Sequence, residues 1–432
     1  MSETQFARAV NRVAAESGVT LRYDQPSVNQ WLTGSVPRAA ARPFVAEALA
    51  RRLGRPVTAA ELGFPAPRSP KDNHASPGTV EGLVDLGRTD MDPSRRGVLN
   101  AGLFSVALTI PEWPDVIGRM ESVRTGRSQR IGLPEVQMVE AMTARLSDLD
   151  DDFGGRHARP MASSFLVNTV APYLQAPASS AVRQSMMSAA SFLCYVTGWM
   201  AVDEGLHGLA QRYYVKALEL AGAGEDHSTY CHVLRGMSVQ AAGLGQGPAA
   251  ARLADAASAA APTAGHRMRA FLSGQQAHAY ALMNDRAAAL RAIRDTEVAI
   301  DKAQSQSGTF GGYSAATLAY HTAQVRYSLG DVVGSVSSLQ LHFRLREAND
   351  RRRSSVLFSS YLAERQLEMG HLEAACATWG HVLDEYPLVH SGRADERVAA
   401  MKSRLRPYLT NRTARALYER AHAETGGRPA TA

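Results

Sequence analysis

The spacing of hydrophobic residues along the chain predicts helices almost throughout. Apolar side chains recur every three to four positions, alanine dominates many segments and runs of β-branched residues are scarce, a pattern that favours helix over strand. From about residue 133 to residue 424, only short turns interrupt this periodicity. We therefore expect an all-α fold.

The first 64 residues predict a separate unit of three helices. One helix covers Glu3–Glu16, and the third covers Arg42–Leu53. The second begins near Pro26, a residue that favours the first helical turn, and ends at Gly34. Residues 58–61, Thr-Ala-Ala-Glu, form a capping-box pattern that opens a last short turn.

Residues 65–93 are rich in Pro, Gly, Ser and Asp, which predicts a linker. Residues 94–99 look like a twin-arginine export signal, but such signals are N-terminal and this one lies well inside the chain. The apolar run at 98–110 is shorter than the roughly 20 residues that cross a bilayer. We interpret it as a buried helix in a connecting and capping region, 94–176, that leads to a repeat domain at 177–424.

A short phrase recurs in the second half of the chain: a turn with Gly or Asn, followed five positions later by a small residue. The turn positions are 40, 39, 46 and 40 residues apart, and helical stretches flank each of them. The five phrases are Gly205 with Ala210, Gly245 with Ala250, Asn284 with Ala289, Gly330 with Ser335, and Gly370 with Ala375. This spacing predicts tandem helix pairs; a helical bundle without repeats is the alternative.

The first copy resembles the tetratricopeptide repeat. Gly198, Ala210, Tyr214 and Ala217 occupy the family's small, small, aromatic and small positions. The resemblance extends over about residues 185–390 and implies an α-solenoid, in which small residues let paired helices approach closely. The other copies keep only pairs of these positions: Ala250 with Ala257, Ala289 with Ile293, Ser335 with Leu339, and Ala375 with Trp379.

In this family the first helix of each pair lines a concave face that binds ligands. Transferring the ligand-facing positions selects aromatic and polar residues, a mixture suited to a peptide, protein or small-molecule effector. The residues are Tyr195, Trp199, Asp203, His232, Arg235, His278, Tyr320, Gln324 and Tyr327. Ordinary packing of aromatic side chains is the alternative interpretation.

Residues 25–34 resemble the recognition helix of Cro/repressor-type helix-turn-helix proteins. Val28 and Trp31 match the buried anchors. The resemblance implies DNA binding as a dimer, with polar side chains reading base edges and arginines holding phosphates. The implied DNA-binding residues are Gln25, Ser27, Asn29, Gln30, Arg22 and Arg38.

The unit departs from that family in two ways. The family has a helix before the one at Glu3–Glu16, and the connection between the two helices of the motif is longer here, residues 18–24 included. Two interpretations stay open: a divergent DNA-binding domain that starts upstream of Met1, or a unit that no longer binds DNA. Taken whole, the chain resembles actinomycete regulators of sporulation and antibiotic production, on phrases such as residues 7–12, 52–58 and 153–160.

Charge and cysteine content add to this picture. The net charge is +6, and residues 1–68 hold nine Arg against five Asp and Glu, so +4 of it lies in the first sixth of the chain. That excess favours a polyanionic partner for the N-terminal unit. The three cysteines, Cys194, Cys231 and Cys376, have no disulfide or zinc spacing, and the start of the chain carries no apolar signal-peptide core. We expect a cytoplasmic protein without a membrane partner.

No pattern in the sequence indicates catalysis. The acidic residues Asp148, Asp150, Asp151 and Asp152 lack calcium-loop spacing and predict a solvated helix end before Gly154. Phosphate-loop, nucleophile-elbow and His-Glu-x-x-His motifs are missing from the sequence. We expect a regulator without catalytic residues, metal or cofactor. A repeat scaffold that binds proteins but not DNA is the rival hypothesis.

Overall fold

The protein is described by a computed structural model. The structure describes residues 1–17, 19–55, 57, 61–64, 78–92, 103–105, 108, 130–260, 265–303, 313–346 and 351–426. In these ranges the regular secondary structure is helical throughout and contains no strand. The predicted all-α fold is therefore confirmed.

The chain divides into two compact units. Unit 1 consists of Met1–Val139 and Ser163–Glu225, and unit 2 consists of Glu140–Ala162 and Asp226–Ala432. The division falls inside two helices, α5 (Leu133–Phe153) and α6 (Gly155–Phe165), which contribute residues to both units. The other helices of unit 1 are α1 (Glu3–Glu16), α2 (Gln25–Leu32), α3 (Arg42–Leu53), α4 (Thr79–Met91), the π-helical turn Leu166–Val170, α7 (Ala171–Gln175), α8 (Ser180–Asp203) and α9 (His207–Ala223).

The N-terminal helices α1, α2 and α3 pack around a small apolar core, at the positions that the sequence predicts. Val10, Val13 and Phe44 are buried in it, with Trp31 packed against them. Ser2 caps α1 through a reciprocal capping box with Gln5. The last capping box predicted in this unit, residues 58–61, lies outside the described residues except for its final Glu.

The predicted linker 65–93 is wrong for its described part, because Thr79–Met91 forms the helix α4. Apolar residues at helical spacing explain it: Leu83 is fully buried, and Val80 and Leu86 are nearly so. Of the apolar run 98–110, only 103–105 and 108 are described, and none of these is helical. The rest of that predicted helix, with the twin-arginine pattern, lies outside the described residues.

The predicted turns are present at all five positions. Each turn residue adopts a left-handed backbone conformation, with φ between +60° and +85°. Glycine and asparagine are the residues that tolerate this conformation best, which is why they stand there. The turns join helices into pairs: α8 with α9 in unit 1, and in unit 2 α10 (His227–Gly243) with α11 (Gly247–Ala259), α12 (His266–Leu282) with α13 (Arg286–Ala303), α14 (Ala315–Ser328) with α15 (Val332–Leu345), and α16 (Arg352–Glu368) with α17 (Leu372–Glu385).

Buried residues, most of them small, occupy the pair positions that the sequence predicts. In the first pair, a Cβ added to Gly198 would lie 2.8 Å from the Tyr214 ring, so only glycine fits this close approach. Ala210 and Ala217 are fully buried. In unit 2 the pair positions Ala250, Ala257, Ala289, Ile293, Ser335, Leu339, Ala375 and Trp379 are likewise buried. Two further helices, α18 (Gly392–Leu405) and α19 (Arg412–Gly426), pack against the last pair.

The acidic cluster departs in part from the solvated helix end that the sequence predicts: Asp152 is exposed, but Asp150 is buried and Asp151 is half-buried. Arg353 lies 2.9 Å from Asp150 and 2.5 Å from Asp151, and Arg351 pairs with Asp148 and Asp151. Arg353 and Asp150 are both buried. A buried carboxylate needs such a partner, so these aspartates anchor α5 to α16 within unit 2.

One helix in the described part of the chain, α8, is long and apolar enough to cross a membrane. In its most apolar window, 72% of the residues are buried inside the protein. That degree of burial is typical of a helix in a protein interior. The three cysteines are also buried and form no disulfide.

Candidate nucleic-acid interface and repeat inner face

The start of α2 is fixed by local hydrogen bonds. The Asp24 carboxylate accepts from the backbone N–H of Ser27 at 3.0 Å and from the Ser27 hydroxyl at 2.6 Å. These bonds, the side-chain bond first, lower the pKa of Asp24. Just before α2, the Tyr23 backbone makes two hydrogen bonds with the Asn11 side chain of α1, at 2.8 and 2.9 Å. The long connection between α1 and α2 is thereby held against α1.

The two faces of α2 differ, one packing in the core and the other being exposed. Val28 is buried, and Trp31 packs edge-to-face against Tyr23 with ring centroids 4.8 Å apart. Asn29 and Gln30 are exposed on the other side. Because the apolar side of α2 packs in the core, its polar side is the one exposed for contact with a partner molecule.

A cleft of about 540 Å³ opens beside this polar face. Arg22 and Arg38 both line it, one from the segment before α2 and one from the segment after it, together with Gln30. The described residues that line the cleft include no acidic side chain. They are Thr20, Leu21, Arg22, Tyr23, Ser27, Gln30, Trp31, Ser35, Val36, Pro37 and Arg38. The predicted flanking arginines are therefore brought together on one surface with Gln30.

Two of the implied base-reading residues are engaged inside the unit instead. The Ser27 hydroxyl donates a hydrogen bond to the Asp24 carboxylate. Gln25 donates to the Glu3 carboxylate at 3.1 Å and accepts from the Thr4 hydroxyl at 3.4 Å. Of the four polar residues on α2, Asn29 and Gln30 are thus the two best placed to contact an external molecule.

A polar bridge joins the N-terminal helices to the first repeat within unit 1. The Ser105 hydroxyl donates to Glu47 on α3 at 2.8 Å, and the Ser105 backbone exchanges two hydrogen bonds with the Gln211 side chain on α9, at 2.9 and 2.8 Å. Arg51 completes the bridge by binding Glu47 at 2.9 Å and the Phe104 carbonyl at 3.1 Å. The sequence gives no signal for this bridge, because its partners are far apart along the chain.

In the first repeat, two of the three predicted groove residues, Tyr195 and Asp203, belong to the interior. Asp203 is fully buried, and Tyr195 is buried with its ring stacked on Tyr214 at 5.8 Å between centroids. Trp199 is half-buried. These residues of α8 are enclosed because the helix is apolar on most sides, so packing explains Tyr195 and Asp203 better than a ligand groove.

In unit 2, the predicted groove residues lie close to other aromatic and basic groups. The Arg235 guanidinium stacks over the Phe271 ring, 3.9 Å from its centroid, and His232 lies 4.9 Å from the same ring. Burial first, and the Arg235 charge second, lower the pKa of His232 to about 3. The imidazole is therefore neutral at physiological pH.

The guanidinium of Arg365 joins Gln324 and Tyr327. It hydrogen-bonds to the Gln324 side-chain oxygen and stacks over the Tyr327 ring, 4.2 Å from the centroid. The Tyr327 hydroxyl donates to Glu368 at 2.8 Å. Two of the predicted groove residues on α14 are thus positioned by an arginine of α16 that the sequence does not single out.

The positive charges of Arg235 and Arg365 both act on His278 and Tyr320. Burial first, and then the charges of Arg365 and Arg235, lower the pKa of His278 to about 4. Burial raises the pKa of Tyr320, and the same two charges oppose that rise. The Tyr320 ring stacks on Phe358 at 4.3 Å between centroids.

Comparison with known proteins bears on the N-terminal unit. Residues 1–65 match the family model of the SP15 N-terminal domain. No curated protein matches the chain. The matched residues cover the three helices and the cleft described above.

Proposed function

We propose that the chain is a cytoplasmic, DNA-binding transcriptional regulator whose repeat region binds an effector. The observation that carries the proposal is the cleft in which Arg22 and Arg38 flank Gln30, with Asn29 exposed on the same helix. Arginines on either side of a short polar helix are suited to two neighbouring phosphates. Asn and Gln side chains between them are suited to the edge of adenine in the major groove.

The charge distribution supports this partner. Most of the excess positive charge of the chain lies in the first 68 residues, and the cleft carries two arginines without a lining carboxylate. Electrostatic attraction to phosphates supplies most of the affinity of non-specific DNA binding. Because one α2 helix reads only a few base pairs, we propose a dimer that reads two half-sites about 34–36 Å apart.

The layout supports an effector role for the repeats. In unit 2, half-buried aromatic and basic side chains lie on the first helices of consecutive pairs. Such side chains suit ligand binding better than catalysis. Resemblance to actinomycete regulators makes development or secondary metabolism the process that this chain would control. Within unit 1, the bridge through Gln211 ties the N-terminal helices to the first repeat.

A gel-shift assay of the full chain against its own upstream DNA, run as a salt series, tests the proposal. Arg38→Ala should weaken binding to every DNA sequence and lower the slope of log affinity against log salt by about 1. Arg52→Ala is the matched control, because Arg52 is an exposed arginine of the same unit outside the cleft. If Arg38→Ala and Arg52→Ala behave alike, the cleft is not the interface.

The second candidate function is a repeat scaffold that binds proteins but not DNA. The observation that favours it is the engagement of Gln25 and Ser27 within the unit, which removes half of the polar side chains on α2 from readout. In that case the full chain would show no DNA retention at low salt, and the cleft would serve a protein partner.

A further inference from the structure

One exposed apolar side chain stands among the polar residues of the cleft beside α2. Val36 lies in the segment between α2 and α3, is 47% exposed, and lines the cleft together with Gln30 and Arg38. The other apolar residues of the described lining are half-buried or buried, namely Leu21, Tyr23, Trp31 and Pro37. A molecule that enters the cleft to contact Gln30 and Arg38 therefore also meets the Val36 methyl groups.

The backbone on both sides of Val36 is held in place. The N–H of Ser35 donates to the Gln30 carbonyl at 2.9 Å, which ties the residue before Val36 to α2. The Arg42 side chain donates to the Pro37 carbonyl at 3.0 Å, and Pro37 is buried with its φ fixed by its ring. Because both neighbours are fixed, Val36 could turn away from the cleft only if these contacts broke.

The partner proposed for this cleft narrows what Val36 can contact. In the major groove of DNA the base edges present hydrogen-bonding groups, and the C5 methyl of thymine is the apolar group among them. An A·T pair carries in the same groove the adenine edge, which suits a Gln side chain, and the thymine methyl, which suits an apolar one. Gln30 and Val36 together therefore match A·T pairs, whereas a G·C pair has no methyl group for Val36.

We infer that Val36 is a specificity-determining residue that packs against the C5 methyl of a thymine, beside the adenine that Gln30 contacts. The inference rests on the proposed function, because it requires α2 to enter the major groove. It adds to that function a base, an atom of that base and the residue that recognises it. Burial of one methyl group is equivalent to about fourfold in affinity, so the contact is measurable beside the contribution of the phosphates.

Two versions of the upstream duplex test the inference, one made with thymine and one with deoxyuridine, so that they differ in the C5 methyl groups. Fluorescence anisotropy of the full chain at fixed salt should show tighter binding to the thymine duplex, by about fourfold for each methyl contacted. Val36→Ala should bring the ratio of the two affinities close to 1. Its affinity for the deoxyuridine duplex should change little, and the fold should be preserved because Val36 is exposed.

Leu32→Ala is the matched control. Leu32 is an exposed apolar residue of the same unit, 72% exposed at the end of α2, and it is not among the residues that line the cleft. The substitution removes apolar surface near the cleft without touching its lining. Leu32→Ala should therefore keep the parent ratio between the thymine and deoxyuridine duplexes.

The results that would overturn the inference separate it from the proposed function. Selective binding to upstream DNA with equal affinity for the thymine and deoxyuridine duplexes would overturn the inference alone. A thymine preference that Val36→Ala leaves unchanged would do the same, since another residue would then contact the methyl group. Equal affinity for the upstream and a scrambled duplex, or no binding to either, would overturn the proposed function and the inference with it.

Discussion

The Arg365 guanidinium stacks over the Tyr327 ring at 4.2 Å and ties α16 to α14. This contact joins the first helices of two consecutive repeats on the side where the predicted groove residues lie. Arg365 also donates to the Ser335 hydroxyl at 2.7 Å, which brings α15 into the same cluster. One buried side chain of α16 therefore contacts both helices of the preceding repeat.

The close approach of α8 and α9 at Gly198 gives the first prediction. Gly198→Ala places a Cβ 2.8 Å from Tyr214 and 3.2 Å from the Tyr213 Cβ, so the helices must separate. We expect a loss of about 1–3 kcal/mol in the free energy of unfolding, measured by urea denaturation. Gly243→Ala is the control, since no atom lies within 4 Å of its added Cβ, and it should be neutral or stabilising.

The buried ion cluster of unit 2 gives the second prediction. Arg353→Ala leaves Asp150 buried without its cation, and we expect a loss of about 3–5 kcal/mol in the free energy of unfolding. Arg352→Ala, one position earlier on α16, should change it by less than about 0.5 kcal/mol. Similar urea midpoints for the two variants would show that the aspartates are hydrated rather than paired.

The buried imidazole of His321 gives the third prediction. Its Nδ1 lies 2.6 Å from the Tyr313 hydroxyl, and burial, helped by the Arg235 charge, holds its pKa well below the usual value. Between that lowered pKa and about 6.5, the unfolded chain binds a proton that the folded chain does not, so the free energy of unfolding falls as pH falls. The slope contributed is at most about 1.4 kcal/mol per pH unit.

His321→Asn removes this titration and keeps a polar partner for Tyr313. Chemical denaturation between pH 6.5 and pH 5 should give a shallower pH dependence in the variant than in the parent chain. Parallel pH profiles for the two proteins would mean that His321 is protonated in the folded state. His422 is a suitable control for substitution, because it is exposed and far from this cluster along the chain.

The bridge between the N-terminal helices and α9 gives the fourth prediction. Gln211→Leu removes both hydrogen bonds to the Ser105 backbone and leaves Glu47 and Arg51 in place. We expect faster amide exchange in residues 103–105 and on the exposed side of α3, with little change in α10 to α17. Unchanged exchange at 103–105 would show that Gln211 does not hold this segment.

The sequence pattern predicted the five turns correctly because a left-handed backbone conformation depends on the residue type at a single position. Gly205 and Asn284 stand at left-handed positions, and few other residues tolerate that conformation, so the residue type alone reveals the turn. The same holds for α2, whose capping residue and buried Val28 lie within a few positions of each other. Composition misled at α4, a segment rich in polar residues whose apolar residues stand at helical spacing. It also misled at Asp150, an acidic residue that is buried against Arg353.

Contacts between distant residues could not be predicted in this way. Asp151 meets Arg353 across 202 positions, and Ser105 meets Gln211 across 106. The sequence did not single out Arg365 or Phe271 as groove residues for the same reason. The repeat pattern predicts which helix of a pair faces a ligand, but it does not predict which side chain contacts the neighbouring repeat. The candidate site therefore stays a prediction, and its chemistry depends on contacts that only the folded chain brings together.

Sequence-selective DNA binding through α2 is tested most directly by a ratio of two affinities of the full chain, one for its own upstream DNA and one for a scrambled duplex. Fluorescence anisotropy should compare the preferred upstream fragment with a scrambled duplex of the same length at fixed salt. We expect a clear preference for the upstream fragment. The Gln30 side chain lines the cleft, so Gln30→Ala should lower that preference by about tenfold or more. Equal affinity for both duplexes, or a preference that Gln30→Ala leaves unchanged, would contradict it.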